Sequence, residues 1–557
     1  MTMSVSVLDM LPRIPLTART VLFAGCGNSE LARAYRAMNP KARLLAIEPD
    51  PLAAAHLVSC CDDVVNTEIP ADALPFDPPD GIDCIVYGEI HKLSDPWTVL
   101  GRHCEALSPG GIVLLIVPNP EYWRLTERHL RGLYEPAEAG HREPNQPGRT
   151  QAGLTSEFNR LGLSVHDITA VEPDPEAAQW FCNALSPGLS ALGIDTNDFA
   201  RRSAAGHWVC RASKDAVQPI IVAGNMLKPV GGVSHVRVVH PFEALATSTD
   251  VRASVVAALE VKPPEDDSPR IFVLHRPSLV GPNGLATLQK LAVAGYLAVT
   301  EFDDHPDHFP MMRVGGDISF LGVHAVQTST PAMADALRKY NPEIAIFPNA
   351  IASLPEIRNF ADPASLSFFF GALNREADWQ SLMPVINNIA RMAGSRLKFQ
   401  VVHDQGFFDA LETDHKTFTA TCDYDTYSRI LGGCEISFMP LGDTAFNRAK
   451  SDLKFIEAGA CRTAALASNV VYGDSIDDGR TGLLFRDPIE FQARLLRLIA
   501  MPELARSLAD AARQYVAQER MLAYQVAARI GWYRSLWNRR GDLEQARLAR
   551  LRHRLAA

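Results

Sequence analysis

A strand followed by two closely spaced glycines constrains the fold of this chain more than any other feature. The apolar run Val21–Ala24 leads directly into Gly25 and Gly27. About twenty residues later, the run Leu45–Ile47 ends in Glu48. Glycines in a tight turn let a ligand approach the backbone without Cβ atoms in the way, and a carboxylate after the second strand can accept both hydroxyls of a ribose. The pattern predicts a parallel α/β unit that binds a nucleoside.

Composition narrows the class of protein. The chain has 557 residues, 47% apolar and 21% charged, and such a length corresponds to roughly three to four domains with large buried cores. The formal net charge of −10 excludes a general attraction to nucleic acid or to an anionic membrane. Ten cysteines without CxxC pairs predict neither a zinc site nor a disulfide framework. With no leader segment and no bilayer-length apolar run in the sequence, we expect a cytoplasmic protein.

The first third of the chain alternates short, β-branched apolar runs with helical segments. Such runs are typical of a doubly wound parallel sheet that helices cover on both faces, with its ligand at the carboxyl ends of the strands. The predicted strands are Val21–Ala24, Arg43–Ile47, Cys84–Tyr87 and Ile112–Val117.

Four further motifs narrow the kind of α/β unit. They are Tyr87-Gly-Glu-Ile-His91, Asp95-Pro-Trp97, Leu107-Ser-Pro-Gly-Gly-Ile112 and Val117-Pro-Asn119. With the glycine turn, they make residues 15–210 resemble the class I S-adenosylmethionine-dependent methyltransferases, especially the branch often found modifying sugars and other small polar acceptors. The family usually has a third glycine where this chain has Asn28-Ser29, and asparagine tolerates a left-handed backbone.

The resemblance implies a role for each position. Gly25, Cys26 and Gly27 would contact the methionine part of the cofactor. Glu48 would hold the ribose, and Thr67 or Glu68 would flank the adenine. Glu89 and His91 would lie where methyl group and acceptor meet. His91 could act as general base, because the unperturbed pKa of histidine lies near working pH. The alternatives are a histidine that only orders its loop, and a degenerate domain kept for assembly.

After the polar linker Ala212–Pro219 the strand pattern restarts and continues through two series of strands. The pattern predicts two further Rossmann-like lobes with a ligand-binding cleft between them. The first series is Ile220–Ala223, Arg270–His275, Leu297–Phe302, Ala325–Ser329 and Ala345–Ala350, and the second is Ser367–Gly371, Phe399–Val402 and Glu435–Met439.

Four motifs of this region belong to one pattern. They are Gly231-Gly232, Phe347-Pro-Asn349-Ala-Ile351, Gly371-Ala-Leu-Asn-Arg375 and Lys450-Ser-Asp-Leu-Lys454-Phe-Ile-Glu457. Residues 218–535 resemble the GT-B glycosyltransferases, particularly the large retaining family that includes sucrose and glycogen synthases. The resemblance implies a nucleotide-sugar donor and a site without metal, in which cations and helix N-terminal amides stabilise the departing diphosphate.

Carried over position by position, the motifs give a donor site. The groups placed at the phosphates are Gly231, Gly232, Arg375, Lys450 and Lys454. Asn349 would lie at the entrance to the second lobe, and Glu457, one helical turn after Lys454, would bind the ribose. The family has a first glutamate where this chain has Ala449, so the sugar specificity of the family does not carry over.

The stretch Glu301–His308 combines four acidic residues with two histidines directly after a predicted strand. We interpret it as an acceptor or catalytic loop, in which Asp303, Asp304 and His305 orient an acceptor hydroxyl. Its ligand types would also suit magnesium, which binds through one or two carboxylates plus phosphates. A solvated polar loop is the third possibility.

The end of the chain, residues 536–557, is basic and predicts a terminal helix. Leu548, Leu551 and Leu555 share one face of that helix. Such a helix could contact an anionic membrane where lipid-linked acceptors lie, or it could pack against the protein.

These observations predict a bifunctional transferase. Residues 1–213 form the methyltransferase domain, 218–360 the acceptor-side lobe and 361–535 the donor-side lobe. The enzyme would transfer a sugar to a glycan or lipid-linked glycan of surface polysaccharide biosynthesis, and a methyl group to a sugar hydroxyl. Three alternatives remain: a glycosyltransferase with a scaffold domain, a tailoring enzyme for small metabolites, and a non-catalytic carbohydrate-binding protein.

Overall fold

The computed structural model describes residues 7–27, 29–88, 90–133, 149–226, 231–257, 259, 261, 266–313, 315–358 and 365–556. The chain divides into two compact units, Met1–Gln218 with Thr247–Thr249, and Pro219–Ala246 with Asp250–Ala557. Both are mixed α/β structures with parallel strands, which confirms the α/β class expected from the sequence, while the assignment of the units to a methyltransferase and a GT-B fold stays a prediction. No helix in the described ranges combines the length and the apolar character that crossing a bilayer requires.

The first unit contains a seven-stranded sheet in the order β3-β2-β1-β4-β5-β7-β6. β1 to β5 run parallel, whereas β7 is antiparallel to both β5 and β6. The central strands are buried on both faces because helices cover them, as their continuous apolar runs predicted. The strands are β1 Thr20–Ala24, β2 Arg43–Ile47, β3 Asp63–Val65, β4 Ile82–Tyr87, β5 Leu107–Pro118, β6 Ser164–Val171 and β7 His207–Ser213.

Three helices of this unit begin at an Asp-Pro pair. The carboxylates of Asp50, Asp95 and Asp174 each accept a hydrogen bond from a backbone amide of the first turn, and proline follows at the first helical position. This combination favours a helix start because proline lacks the amide that would otherwise be unpaired there. The helices are α1 Glu30–Met38, α2 Pro51–Leu57, α3 Pro96–His103, α4 Trp123–Leu130, α5 Gln151–Arg160, α6 Pro175–Ala191 and α7 Thr196–Ser203.

The second unit begins with a lobe built on six parallel strands in the order β13-β12-β11-β10-β8-β9. Its strands are β8 Ile220–Asn225, β9 Val251–Val256, β10 Arg270–His275, β11 Leu297–Glu301, β12 Ala325–Thr328 and β13 Ile344–Ile346. Its helices are α8 Gly231–Ser234, α9 His240–Ala246, α10 Gly281–Val293, α11 Pro310–Arg313, α12 Ile318–Leu321 and α13 Pro331–Arg338. A π-helical turn, His235–Val239, joins α8 to α9.

The second lobe also has six parallel strands, in the order β16-β15-β14-β17-β18-β19. They are β14 Leu366–Gly371, β15 Leu397–Val402, β16 Lys416–Thr419, β17 Ile436–Met439, β18 Ala464–Ser468 and β19 Leu483–Phe485. The helices are α14 Glu376–Trp379, α15 Met383–Ala393, α16 Gln405–Ala410, α17 Tyr424–Gly432, α18 Ala445–Arg448, α19 Leu453–Ala460, α20 Pro488–Ala500 and α21 Pro502–Glu519.

The last two helices, α22 Ala523–Asn538 and α23 Arg540–Ala556, return to the first lobe. The guanidinium of Arg550 donates to the carbonyls of Leu321 and Val323 at 3.2 and 2.8 Å. Arg554 forms an ion pair with Asp317 at 2.6 Å. The basic tail therefore packs against the protein, which was one of the two possibilities drawn from the sequence. A contact with a membrane surface stays a prediction.

A buried ion pair holds the first lobe together at its centre. The guanidinium of Arg237 binds both carboxylate oxygens of Glu301 at 2.9 and 3.0 Å, and the two side chains are 1% and 0% exposed. Arg237 also donates to the carbonyl of Phe347 at 2.7 Å and to the Asn349 side chain at 2.9 Å. The pair thus connects the π-helical turn that follows α8, strand β11 and the segment that enters the second lobe.

Replacing Arg237 with methionine should destabilise the second unit by about 3–5 kcal/mol, because Glu301 would be left as a buried, uncompensated charge. The matched control is Arg391→Met, whose ion pair with Glu412 is 66% and 67% exposed and should contribute about 0–1 kcal/mol. Calorimetric unfolding of both variants would measure the difference. Equal, small shifts in the unfolding temperature would contradict this role of the buried pair.

Candidate functional site

In the first unit, the predicted glycine turn follows β1 at the carboxyl end of that strand. This strand lies between β2 and β4, at the point where the strand order changes direction, and open α/β sheets bind their ligands at such points. The turn after β1 contains Gly25 and Gly27 with φ of +60° and +74°, values that favour glycine. Glu48 follows β2 and is buried. The structure therefore brings the predicted turn and the predicted carboxylate together.

Hydrogen bonds join this turn to the carboxylate. The amide of Gly27 donates to one oxygen of Glu48 at 2.9 Å, and the amide of Asp50 donates to the other at 3.2 Å. A carboxylate has about four acceptor positions, so two remain for ribose hydroxyls. A Cβ atom added to Gly27 would meet no atom within 4 Å, so the turn borders open space on that side. The residues present fit a bound nucleoside.

For the other predicted residues of the first unit, the structure gives a position in the fold but no contact with Glu48. Thr67 and Glu68 are exposed in the loop after β3, and Cys26 is buried in the turn. His91 lies in the short helical turn Ile90–Lys92 that follows β4, at the same edge of the sheet. Glu89, like Asn28, lies outside the described residues. The roles of all these residues stay predictions.

Gly88 was given no role in the sequence analysis, although it stands directly after a predicted strand. A Cβ atom at this position would lie 2.6 Å from the carbonyl oxygen of Gly25 and 2.8 Å from the Cα of Cys26. Only glycine lets the end of β4 pack this closely against the turn that follows β1. Gly88 thereby sets how closely β4 approaches the glycine turn.

The change Gly88→Ala should destabilise the first unit by about 1–3 kcal/mol, since the added methyl group overlaps backbone that cannot move easily. The control Gly188→Ala adds the same group to the exposed part of α6, where nothing lies within 4 Å. That variant should be stabilised by up to about 1 kcal/mol through helix propensity. Thermal unfolding of both proteins measures the effect, and an unchanged unfolding temperature in Gly88→Ala would show that the close packing is unnecessary.

In the second unit, a cavity of about 180 Å³ lies between the two lobes. From the first lobe it is lined by Val233, Arg276 and Asp303, which follow β8, β10 and β11. From the second lobe it is lined by residues that follow β14 and β17, including Arg375 and Leu441. Strand order changes direction next to β8 in one lobe and next to β14 in the other. The ligand-binding edges of both sheets therefore meet at one cavity.

Four cationic side chains line this cavity. Lys450 donates to Asp304 at 2.7 Å, and Arg375 binds Asp378 at 3.1 Å and Asn447 at 2.8 Å. Lys454 lies in the first turn of α19 and donates to the backbone carbonyl of Gly371. The fourth is Arg276. The structure thus brings together the three cations predicted from the sequence and adds a fourth.

Arg276 was missed in the sequence because its neighbours in the fold come from distant positions. Its backbone adopts φ of +45°, a left-handed conformation that costs a non-glycine residue about 1–3 kcal/mol and is often found at functional sites. Its guanidinium donates to Asp303 at 2.7 Å. Burial alone would raise the pKa of Asp303, but the neighbouring Arg276 outweighs it and holds the pKa below its ordinary value. Asp303 is therefore charged at neutral pH.

The three predicted residues of the acceptor loop, Asp303, Asp304 and His305, have different surroundings. Asp303 lines the cavity, and Asp304 binds Lys450. His305 begins the turn Pro306–His308, and its Nδ1 accepts from the Asp307 amide at 3.3 Å. No cluster of three or more metal-ligating side chains occurs among the residues the structure describes. Of the three predicted residues, only Asp303 lines the cavity.

Gly232 and Asn349 lie at contacts between the lobes, and Asn349 also lines the cavity. A Cβ atom at Gly232 would lie 2.9 Å from the ring of Tyr424. The amide of Asn349 donates to Ser451 at 2.7 Å, while its oxygen accepts from Arg237. Both predicted positions therefore lie where the first lobe contacts the second.

Glu457 lies one turn after Lys454 on α19 and is buried. Burial raises the pKa of Glu457 to about 7, although the hydrogen bond from Tyr424 at 2.8 Å and the charge of Lys454 limit the rise. Burial lowers the pKa of Lys454 to about 8, against the effect of Glu457. A second cavity, of about 230 Å³, borders Glu457 and Tyr424. Helix α19 therefore runs along both cavities.

Two further residues bear on this site, Ala449 and Tyr424. Ala449 is buried in the apolar core of the first lobe, so this position, where the resemblance noted in the sequence would have a glutamate, supplies no carboxylate. Tyr424, which the sequence analysis did not single out, contacts Glu457 and stacks on His235 of the first lobe with ring centroids 5.1 Å apart. Nothing in its local sequence marks Tyr424, because its partners are 33 and 189 residues away.

No protein-family model and no curated protein matches the chain. Among solved structures, TarM of S. aureus is similar over 47% of this chain and 55% of TarM, with 13% identity and a TM-score of 0.37. Sucrose-phosphate synthase from Thermosynechococcus elongatus is similar over 57% of this chain and 100% of its own, with 16% identity and a TM-score of 0.41. Anabaena HepE in complex with UDP-glucose is similar over 57% of this chain and 99% of HepE, with 12% identity and a TM-score of 0.40. The chain spans about half the length of TarM. Likenesses of this size give no basis for carrying a function over to this chain.

Proposed function

We propose that the second unit transfers a sugar from a nucleotide-sugar donor to a glycan acceptor. The observation that carries the proposal is the cavity where the ligand-binding edges of two parallel sheets meet, lined by Arg276, Arg375, Lys450 and Lys454. Negative charge grows on the diphosphate as the bond to the sugar breaks. Fixed cations at that point stabilise the transition state more than the ground state.

The two cavities along α19 fit the parts of a nucleotide. The diphosphate would lie at Lys454 and at the positive end of the helix dipole. The ribose would bind Glu457, about 4.5 Å further along the axis for three residues of helix. The base would then point towards the second cavity beside Tyr424. In this order the diphosphate, the ribose and the base would each lie next to a group of suitable chemistry.

The sugar end of the donor needs a hydrogen-bond acceptor, and Ala449 does not supply one. Asp303 is the one carboxylate among the described residues that line the cavity. Arg276 keeps it charged, so it can accept a hydrogen bond from a sugar hydroxyl but is a weak base. We assign Asp303 to holding a hydroxyl of donor or acceptor.

We infer that the first unit is a methyltransferase domain that acts on a hydroxyl of the same glycan. S-adenosylmethionine would supply the methyl group. Glu48 would hold the ribose with its two remaining acceptor positions, and the turn at Gly27 would leave space beside it. His91, at the same edge of the sheet, would take up the proton of the acceptor hydroxyl. Fusion of the two units keeps the product of one site at high effective concentration near the other.

A second candidate for the first unit is a scaffold without catalysis. The observation in its favour is that two amides already occupy Glu48, so the carboxylate can order the turn without a ligand. Under that alternative, the chain is a glycosyltransferase alone.

Removing the charge of Lys454 should weaken binding of a nucleoside diphosphate about ten- to a hundredfold, the usual effect of losing a hydrogen bond to a charged group. Isothermal titration with UDP and GDP of the wild type and of Lys454→Met would measure this and identify the base. Lys398→Met is the control, because Lys398 is an exposed cation on β15. Equal affinity in Lys454→Met and the wild type would sink the proposed donor site.

S-adenosylhomocysteine should bind the wild type and fail to bind Gly27→Arg, because the arginine side chain would occupy the open space beside the turn. The variant should still bind nucleoside diphosphate, which lies in the other unit. Titration of both proteins with both ligands separates the sites. Absence of binding to the wild type would leave the scaffold as the function of the first unit.

Binding of a nucleotide sugar should be tightest between pH 7 and pH 8. Glu457, with its pKa raised to about 7, gains its charge as the pH rises from 6, and Lys454, with its pKa lowered to about 8, loses its charge above pH 8. A nucleotide sugar suits this titration because its diphosphate is a diester without a proton to lose in this range. In Tyr424→Phe the charged carboxylate loses a donor, so the rise should move to higher pH. Affinity that falls steadily from pH 6 upwards would contradict the assignment of Glu457.

A further inference from the structure

A groove of about 570 Å³ on the first lobe is lined by basic side chains. We call it the basic groove and define it by Arg338, Lys339, Arg550, His553 and Arg554. Its remaining lining residues include Tyr340, and none of the described residues that line it is an aspartate or a glutamate. A volume of this size is typical of ligand-binding clefts.

The basic groove lies at the edge of the sheet opposite to the donor cavity. Its lining residues Tyr340 and Pro342 precede β13, and Leu321 precedes β12. These are the amino-terminal ends of strands whose carboxyl ends point to the other edge. A ligand in the basic groove would therefore be separate from a donor in the cavity.

The positive charge of the basic groove is only partly compensated. Arg338 and Arg554 form ion pairs with Asp335 and Asp317. The guanidinium of Arg550, by contrast, is partly buried and donates to two backbone carbonyls. Burial and the neighbouring Arg547 both lower the pKa of Arg550, which reflects the cost of holding this charge. A bound anion would offset that cost.

Like Arg550, Lys339 of the basic groove has no carboxylate within ion-pair distance among the described residues. Its ammonium lies 4.8 Å from the centroid of the Tyr340 ring, and its side chain is exposed. The chain as a whole carries a formal net charge of −10, so this local positive potential runs against the overall balance. Local charge of one sign in a cleft raises the concentration of ligands of the opposite sign.

The apolar side chains of α23 are partly covered by the protein, although Leu548 is 38% exposed. Leu543 and Leu551 are buried, at 7% and 9% exposure. A helix that lies in a membrane interface inserts its apolar face between lipids. The basic groove is concave, and a concave surface suits a single anionic chain better than a flat membrane.

We propose that the basic groove binds an anionic segment of a glycan, with carboxylate or phosphate groups placed on Lys339 and Arg550. The glycan nature of the ligand rests on the proposed function of the second unit. The basic groove would hold a part of the acceptor remote from the sugar being extended, so that affinity at one edge of the lobe keeps the acceptor end near the donor cavity.

Binding of sulfated dextran, a soluble sugar polyanion, tests the proposal, with uncharged dextran of equal length as reference. Lys339→Glu should weaken binding about fivefold, the effect expected from reversing one exposed charge near the ligand, and Lys339→Glu with His553→Glu should weaken it further. Lys290→Glu makes the same charge change on an exposed part of α10 and should leave binding unchanged. Binding should also weaken as salt is raised, because exposed charges are screened.

Equal binding of uncharged dextran, or equal loss in Lys290→Glu and Lys339→Glu, would overturn the proposal. Vesicles of phosphatidylglycerol that bind in a Lys339-dependent way, without binding of sulfated dextran, would overturn it in favour of a membrane surface. Nucleoside diphosphate binding by the same variants should match the wild type. That measurement tests the donor site separately, so its failure is distinguishable from failure of the basic groove.

Discussion

The buried pair of Arg237 and Glu301 is the contact on which the candidate donor site depends. Two ions of 1% and 0% exposure cannot separate without leaving a charge in the core. Glu301 is the last residue of β11, so the pair fixes the start of the loop that contains Asp303. Arg237 lies five residues after Gly232 and also donates to the carbonyl of Phe347. One ion pair therefore positions three of the segments around the cavity.

A network of neutral groups extends this constraint to the last helices. The side-chain amide of Gln327 donates to Glu301 at 2.8 Å, and the hydroxyl of Tyr533 donates to Gln327 at 2.8 Å. Asn349, which accepts a hydrogen bond from Arg237, donates one to Ser451, shortly before α19. Buried polar groups that are all hydrogen-bonded specify one arrangement of the segments they join. This arrangement holds Lys454 and Glu457 at the cavity.

The sequence predicts the strands and the charged positions well because both depend on local patterns. Arg43–Ile47 forms β2 as predicted, and the runs ending in Ala24 and Tyr87 end strands β1 and β4. The cations Arg375, Lys450 and Lys454 were found because each belongs to a motif, and they do line one cavity. The absence of a carboxylate at Ala449 was also visible from spacing, and the structure adds that this residue is part of an apolar core.

What the sequence did not predict depends on contacts between distant residues. Arg237 and Glu301 are 64 residues apart, Tyr424 and Glu457 are 33 apart, and Arg276 and Asp303 are 27 apart. Gly88 matters only because the turn at Gly25 lies against it. No spacing rule relates such pairs, since they are brought together by strand order. The ion pair of Asp304 with Lys450 was not visible in the sequence for the same reason, and the predicted role of Asp304 at an acceptor stays a prediction.

A crystal structure of the chain with bound UDP or GDP would test the central claim most directly. We expect the diphosphate between Arg375 and Lys454, within hydrogen-bond distance of both, and the ribose hydroxyls on Glu457. We also expect the hydroxyl of Tyr424 to share or give up its present contact with that carboxylate. A nucleotide bound at any other place on the second unit, with Lys454 still on the carbonyl of Gly371, would contradict the account.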